Sequence, residues 1–311
     1  MSVVVQGLQV LCVLAFAPLL KGYMDRLKAR GMRRVGPPLL QPYRNLWKWL
    51  HKETVRSVYA TGFSEWIPIL YFAAPLVVTL LIPVLTRFPL PLAFMADMLG
   101  GGMILAAGGL LILWAALESG SPYTGVGVSR MRFISTLSEP LVLMALFTAA
   151  AVGRSTIPYV VNQAFAAESF FTPAHVLLVL AWLLLVLTEG GRLPVDNPDS
   201  AQELSLIDPN RTFEASGADL ALYEWGGWMK LTVLGVILVN VLTTPFGLAA
   251  SFTPLALAGA VLMTGLKLAV MGTVIVLVEL SFSKLRLMRI AEYLTISVAI
   301  AALAAIAVGV P

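Results

Sequence analysis

The chain predicts an all-α, polytopic membrane protein with about eight transmembrane helices, and three features carry that expectation. Of 311 residues, 59% are hydrophobic and 12% charged, against roughly half and a quarter in soluble domains. Apolar stretches of the roughly 17–25 residues needed to cross a bilayer core of about 30 Å recur along its whole length. Lys and Arg crowd into alternate loops, the pattern that fixes orientation in a membrane.

The expected spans fall at roughly 2–20, 66–86, 99–117, 134–153, 173–189, 228–247, 254–280 and 291–310. No positive charge precedes the first, so it reads as a retained helix rather than a cleaved leader. Gly100–Gly102 and Glu139-Pro140 interrupt the third and fourth. An even number of crossings puts both termini on one side. Seventeen of the 21 Lys and Arg lie in alternate loops: ten from Lys21 to Arg56, then Arg130 and Arg132, Arg192 and Arg211, and Lys284, Arg286 and Arg289. The opposite loops hold only Arg87 and Arg154, while Lys230 and Lys267 sit at or inside spans. The basic loops are therefore expected in the cytoplasm and both termini on the non-cytoplasmic side. The pI near 9.3 follows from this asymmetry and is no nucleic-acid footprint.

A single membrane domain, 1–311, is expected, with a basic loop at 21–58 and an acidic one at 189–227. In the basic loop, YRNLWKWLHKETV follows Pro42, a residue suited to a first helical turn. Leu46, Trp47 and Leu50 can share one side and Arg44, Lys48 and Lys52 another, as in a helix lying among lipid headgroups. Such a helix serves as a lipid anchor or as the wall of a lateral portal.

Catalytic chemistry is sparse. Cys12 is the only cysteine, and His51 and His175 lie far apart in sequence, so neither a disulfide nor a cysteine cluster for iron or zinc is expected. No phosphate-binding glycine loop or nucleophilic triad stands out. Ionisable groups at membrane depth are the informative feature, because each is costly there. Lys267 lies midway along the seventh span and should face the bundle or a wet cavity, in a salt bridge or a proton relay. Glu279, near the end of that span, reads as interfacial. Glu139 precedes Pro140, whose kink frees a carbonyl and makes room for water. Glu118 closes the third span before GSPYTGVGVSR, read as a close-packing loop. Glu189, Arg192 and Asp196 would share a face if their helix continued, which Pro194 opposes. Asp199, Glu203 and Glu214 follow, and with Lys230 these groups form a candidate proton path whose pKa values burial and neighbours would tune.

These residues resemble the membrane heel subunit of the respiratory complex I and energy-converting group 4 nickel-iron hydrogenase superfamily. Arg34 with Gly36 and Pro37, and the following LLQPYRNLWKWL, resemble the family's first cytoplasmic loop. Glu189, Arg192, Pro194, Asp196, Asp199 and Glu203 resemble its acidic loop, and Glu139 its intramembrane glutamate. GSPYTGVGVSR, Lys267 and Glu279 before SFSKLRL are similar to the hydrogenase branch, on the formate hydrogenlyase-type, hydrogenase-4-like side. Val195, Ala201 and Met131 depart from the pattern, leaving a thinner acidic loop.

The resemblance implies a coupling and anchoring subunit in a prokaryotic inner membrane, with no redox centre of its own. Iron-sulfur clusters and, in the hydrogenase branch, a nickel-iron centre would sit on an iron-sulfur small subunit and a large catalytic subunit. Arg34, Gly36, Pro37, Arg44 and Arg130 would face that soluble arm, and antiporter-like subunits would adjoin in the membrane. Glu189, Asp196, Asp199 and Glu203 would sense redox change, Arg192 would hold their loop, and Glu139, Glu118, Lys267 and Glu279 would continue the path. A quinone-cavity subunit, a passive anchor and a self-contained transporter are the alternatives.

Overall fold

Proline opens most of the helices. It sits in the first turn of α2 (Gln41–Leu50), α3 (Ile67–Leu81), α5 (Pro122–Gly153), α7 (Pro173–Glu189) and α9 (Pro254–Ser281), where its fixed φ suits the helix and its missing N–H is not needed. Pro158 likewise opens α6 (Pro158–Ala167), and the remaining helices are α1 (Ser2–Gly31), α4 (Met98–Glu118), α8 (Gly217–Val236) and α10 (Leu287–Val308). α4 is started by Asp97, whose carboxylate accepts from the N–H groups of Leu99 and Gly100, both at 3.2 Å. This computed structural model describes residues 2–167, 172–196, 207, 209–243 and 246–308.

Among the described residues six helices are long and apolar enough to cross a membrane, and α3 and α7 are shorter apolar helices. These eight coincide with the eight expected spans, but several reach beyond the apolar sequence. α1 continues to Gly31, and α8 begins at Gly217 in a stretch expected to be loop. α5 begins at Pro122, so GSPYTGVGVSR is mostly helix rather than the expected loop. The close approach expected of its small residues is nevertheless found. A Cβ on Gly127 would stand 2.6 Å from Asn210 Cβ. Gly100–Gly102 and Pro140 lie inside helices and interrupt neither.

α8 is the centre of the bundle, packed by α3, α1 and α2, while α10 seals α5 and α7, and α9 leans on α1. Its last turns, Ile237–Thr243, widen into a π-helix, leaving backbone groups that other side chains must satisfy. Trp182 Nε1 donates to Leu234 O at 3.1 Å and Asn162 Nδ2 to Asn240 O at 2.6 Å, while His175 bonds Leu242 O. A carbonyl only accepts, so His175 carries its proton on Nε2.

The short helix α2 forms as expected but divides its apolar side. Leu46 is buried, whereas Trp47 and Leu50 stand exposed. The chain is held against α1 here: a Cβ on Gly22 would fall 2.1 Å from Leu39 O, and the Tyr43 hydroxyl donates to Ala15 O. Burial raises the pKa of that hydroxyl. α2 therefore turns one edge to the bundle and another outward.

Candidate functional site

The acidic segment begins with a helix stop. At the end of α7, Arg192 N–H bonds Leu187 O at 2.9 Å and Gly191 N–H bonds Thr188 O at 3.1 Å, with Gly191 at φ 58°. This is a Schellman closure, and its left-handed residue is best supplied by glycine. The turn divides the predicted residues. Glu189 remains inside the bundle on the last turn of α7, and Arg192 is thrown to the other side.

Glu189 is held by two neighbours. Lys230 on α8 donates to its Oε2 at 2.5 Å and Ser138 on α5 to its Oε1 at 2.6 Å. Glu189, Lys230, Arg211 and Glu139 help to line a cavity of about 310 Å³, roomy enough to admit water. Its other walls are apolar and come from Gly102–Leu113 of α4 and Met131–Leu143 of α5. Glu139 lies near the midpoint of α5, and no described residue offers it a hydrogen bond or an ion pair. Its neighbour in sequence, Ser138, points at Glu189 instead.

Beyond the turn lies a second set of charges. Glu279 is buried between two cations, Arg192 at 3.4 Å and Lys28 at 3.2 Å. Asp196, also buried, accepts from Lys284 at 2.6 Å and from the Ile207 N–H at 2.9 Å. Leu285 N–H closes the set on Pro194 O at 2.9 Å. These contacts tie the ends of α1, α7 and α9 and the start of α10 together. Glu279 lies at the end of its span, as expected, and is buried there because α1 runs far enough to bring Lys28 beside it.

Lys267 belongs to neither set. Its ammonium donates to Asn240 Oδ1 at 3.1 Å and Phe246 O at 2.6 Å and lies 5.5 Å from the Phe246 ring centre. Asn240 in turn donates to Val84 O at 2.9 Å, so Lys267 braces the π-helical turns at the opposite end of the bundle. Glu118 also stands apart, accepting from Trp114 Nε1 at 2.7 Å and Thr61 Oγ1 at 3.0 Å. Glu214 is exposed beside a pocket containing Arg56, Asp219 and Tyr223. There Arg56 donates to Asp219 at 2.8 Å, and that hydrogen bond raises the guanidinium pKa. Asp199 and Glu203, with the departure at Ala201, lie outside the described residues.

Of the expected docking residues, Arg34 and Arg44 are exposed, and Arg130 lines a pocket with Lys284 and Arg286. Gly36, followed by Pro37, lies against α1, where a Cβ would meet Ala29 Cβ at 3.0 Å. Lys28, Ser138, Arg211, Lys284 and Asn240 were not among the predicted site residues. For Lys28 a signal existed: Leu20, Met24 and Lys28 continue the buried seam of α1 at four-residue steps.

Comparisons with known proteins agree over nearly the whole chain. A family model described as NADH dehydrogenase matches residues 4–310. Formate hydrogenlyase subunit 4 of Escherichia coli (strain K12) is 31% identical over 288 residues, 92% of each chain. Hydrogenase-4 component C of the same organism is 27% identical over 296 residues, covering 95% of this chain and 92% of that one. Among solved structures, a chain of the membrane-bound sulfane sulfur reductase, an archaeal respiratory membrane complex, superposes with TM-score 0.83 at 20% identity, covering 97% of this chain and 99% of its own. At that identity the likeness speaks for the fold.

Proposed function

The chain belongs to the NADH dehydrogenase family of complex I-like membrane subunits, and on that premise we propose that it anchors a soluble redox arm to the membrane and links electron transfer there to ion movement. Its similarity to formate hydrogenlyase subunit 4 and hydrogenase-4 component C supports placing it in a group 4 nickel-iron hydrogenase complex. In this reading the basic ends of the helices face the cytoplasm of a prokaryotic inner membrane. An iron-sulfur small subunit and a large catalytic subunit dock there, against Arg34, Arg44 and the fully exposed Val35 and Val58. The clusters and the nickel-iron centre are theirs.

The observation that carries the coupling reading is the shared cavity of Glu139, Glu189 and Lys230. Glu189 is fixed by Lys230 and Ser138, while Glu139 is unpartnered in a cavity with room for water. An unpaired carboxylate at membrane depth is neutral when its surroundings are apolar and ionised when a cation or water reaches it. A change of field at the acidic loop would alter the Glu189–Lys230 pair, and Glu139 would answer by taking up or releasing a proton. Asp196, Glu279 and Arg192 hold the loop in this scheme, and the proton, or a sodium ion, passes on to antiporter-like subunits.

The test is Glu139→Gln in the assembled complex, with redox turnover and proton translocation measured together. Translocation should fall about tenfold or more, the scale of losing a positioned proton carrier, with redox turnover retained. Unchanged translocation would leave the passive-anchor reading, which the clamped Glu279 and Asp196 already favour for their part of the loop.

A further inference from the structure

Two cavities follow one another along the same three helices. An outer pocket of about 60 Å³ is lined by Ser119 just past the end of α4, Thr124 at the start of α5, and Asp219 and Tyr223 near the start of α8. The inner cavity, which contains Glu139, Glu189 and Lys230, takes over on each helix, with Leu113 of α4, Met131 of α5 and Lys230 of α8 as its nearest members. Of the described residues that line the two, only Arg211 is common to both. It belongs to the short helical turn Pro209–Thr212, which is pressed onto α5 so tightly that a Cβ on Gly127 would stand 2.6 Å from Asn210 Cβ and 3.3 Å from Arg211 N. Arg211 is therefore a half-buried wall between the pocket and the cavity, fixed through its backbone.

From this shared wall we infer that Arg211 is an ion filter, which bars metal cations from the inner cavity and lets protons through. The filter rests on the functional reading above and selects which ion that reading can carry. A sodium ion must pass the guanidinium bodily, with its charge and while shedding water, and a fixed positive charge in a narrow, partly desolvated passage opposes it. Oxygens that could replace its water are already engaged. Asp219 is bound to Arg56 on the outer side, and within the cavity Lys230 and Ser138 occupy the two oxygens of Glu189. A proton need not cross as a cation. A water beside Arg211 can break an O–H bond and pass that proton inward to the Glu139 carboxylate, and the hydroxide left behind takes a proton from the outer side to become water again. The charge next to the guanidinium during the crossing is then negative, and a cation favours it.

The test uses the assembled complex in sealed vesicles, with uptake of radiolabelled sodium and translocation of protons followed together during redox turnover. The unaltered complex should translocate protons and take up no sodium above the level without turnover. Arg211→Gln should raise sodium uptake about tenfold or more above that level, the scale of one like charge removed from a passage of low dielectric. Arg211→Lys, which keeps the charge, should restore the exclusion. Sodium uptake by the unaltered complex overturns the filter, whether or not the variants assemble. An Arg211→Gln complex that turns over and still takes up no sodium overturns it too, and the functional reading survives either result. If the unaltered complex turns over and moves neither ion, the functional reading and the filter fall together.

Discussion

Two carboxylates in this bundle, Glu279 and Glu139, look alike in sequence and differ in what surrounds them. Glu279 is enclosed by Lys28 and Arg192, whereas Glu139 meets no ion or donor among the described residues. A buried carboxylate between two cations binds three pieces of chain together. An unpartnered one at the rim of a cavity has no such fastening. Membrane depth alone therefore does not identify a proton carrier. The charges that face the carboxylate decide whether it is a fastener or an exchange site.

The largest effect that would sharpen this contrast is expected at the fastener. Glu279→Gln leaves Lys28 and Arg192 buried without their shared counter-charge. Loss of one partner from a buried ion pair typically costs about 3–5 kcal/mol. The denaturation midpoint of the purified complex in a detergent series should drop accordingly. Glu139→Gln, which breaks no pair, should shift it by about 0.5 kcal/mol or less. Equal stability losses at the two positions would erase the distinction.

The contrast was only half legible in the sequence. Composition and apolar spacing located the eight apolar helices found among the described residues, because burial in lipid demands long uninterrupted runs. Their ends were less legible: α1 and α8 extend past the apolar residues, and the Lys and Arg used to count loop charge include Lys28, which the fold buries. A charge census treats all basic residues alike, and only tertiary packing separates a topology signal from a partner. Glu139 and Glu189 could be nominated from their positions beside Pro140 and at the end of an apolar run. That Ser138 and Lys230 serve Glu189 and bypass Glu139 depends on how α5, α7 and α8 meet, which no local pattern encodes. The π-helical turns around Asn240 were hidden for the same reason, since their carbonyls are met by donors from α6 and α7.

A smaller effect is expected where Glu189 meets Lys230. This pair is partly accessible to the cavity, so its members can reach water when separated. A double-mutant cycle with Glu189→Gln and Lys230→Met should return a coupling energy of about 1–3 kcal/mol in the same denaturation measurement. That value is below the loss expected for Glu279→Gln, in keeping with a pair that can open. A coupling near zero would mean that Glu189 is as free as Glu139, and the cavity would then hold two exchange sites.

The smallest change separates the two glutamates of the cavity most directly. Ser138→Ala removes one of the two donors on Glu189 and touches nothing on Glu139. A hydrogen bond of this kind contributes about 1 kcal/mol, so the complex should remain assembled with a slightly lowered denaturation midpoint. The Ser138 hydroxyl helps to fix Glu189 against Lys230, so its loss should lower the translocation rate about fivefold, the factor that about 1 kcal/mol sets, with redox turnover retained. A rate that does not change assigns the exchange to Glu139 alone. A fall makes the Glu189–Lys230 pair a working part of the path, as the geometry of the shared cavity leads one to expect.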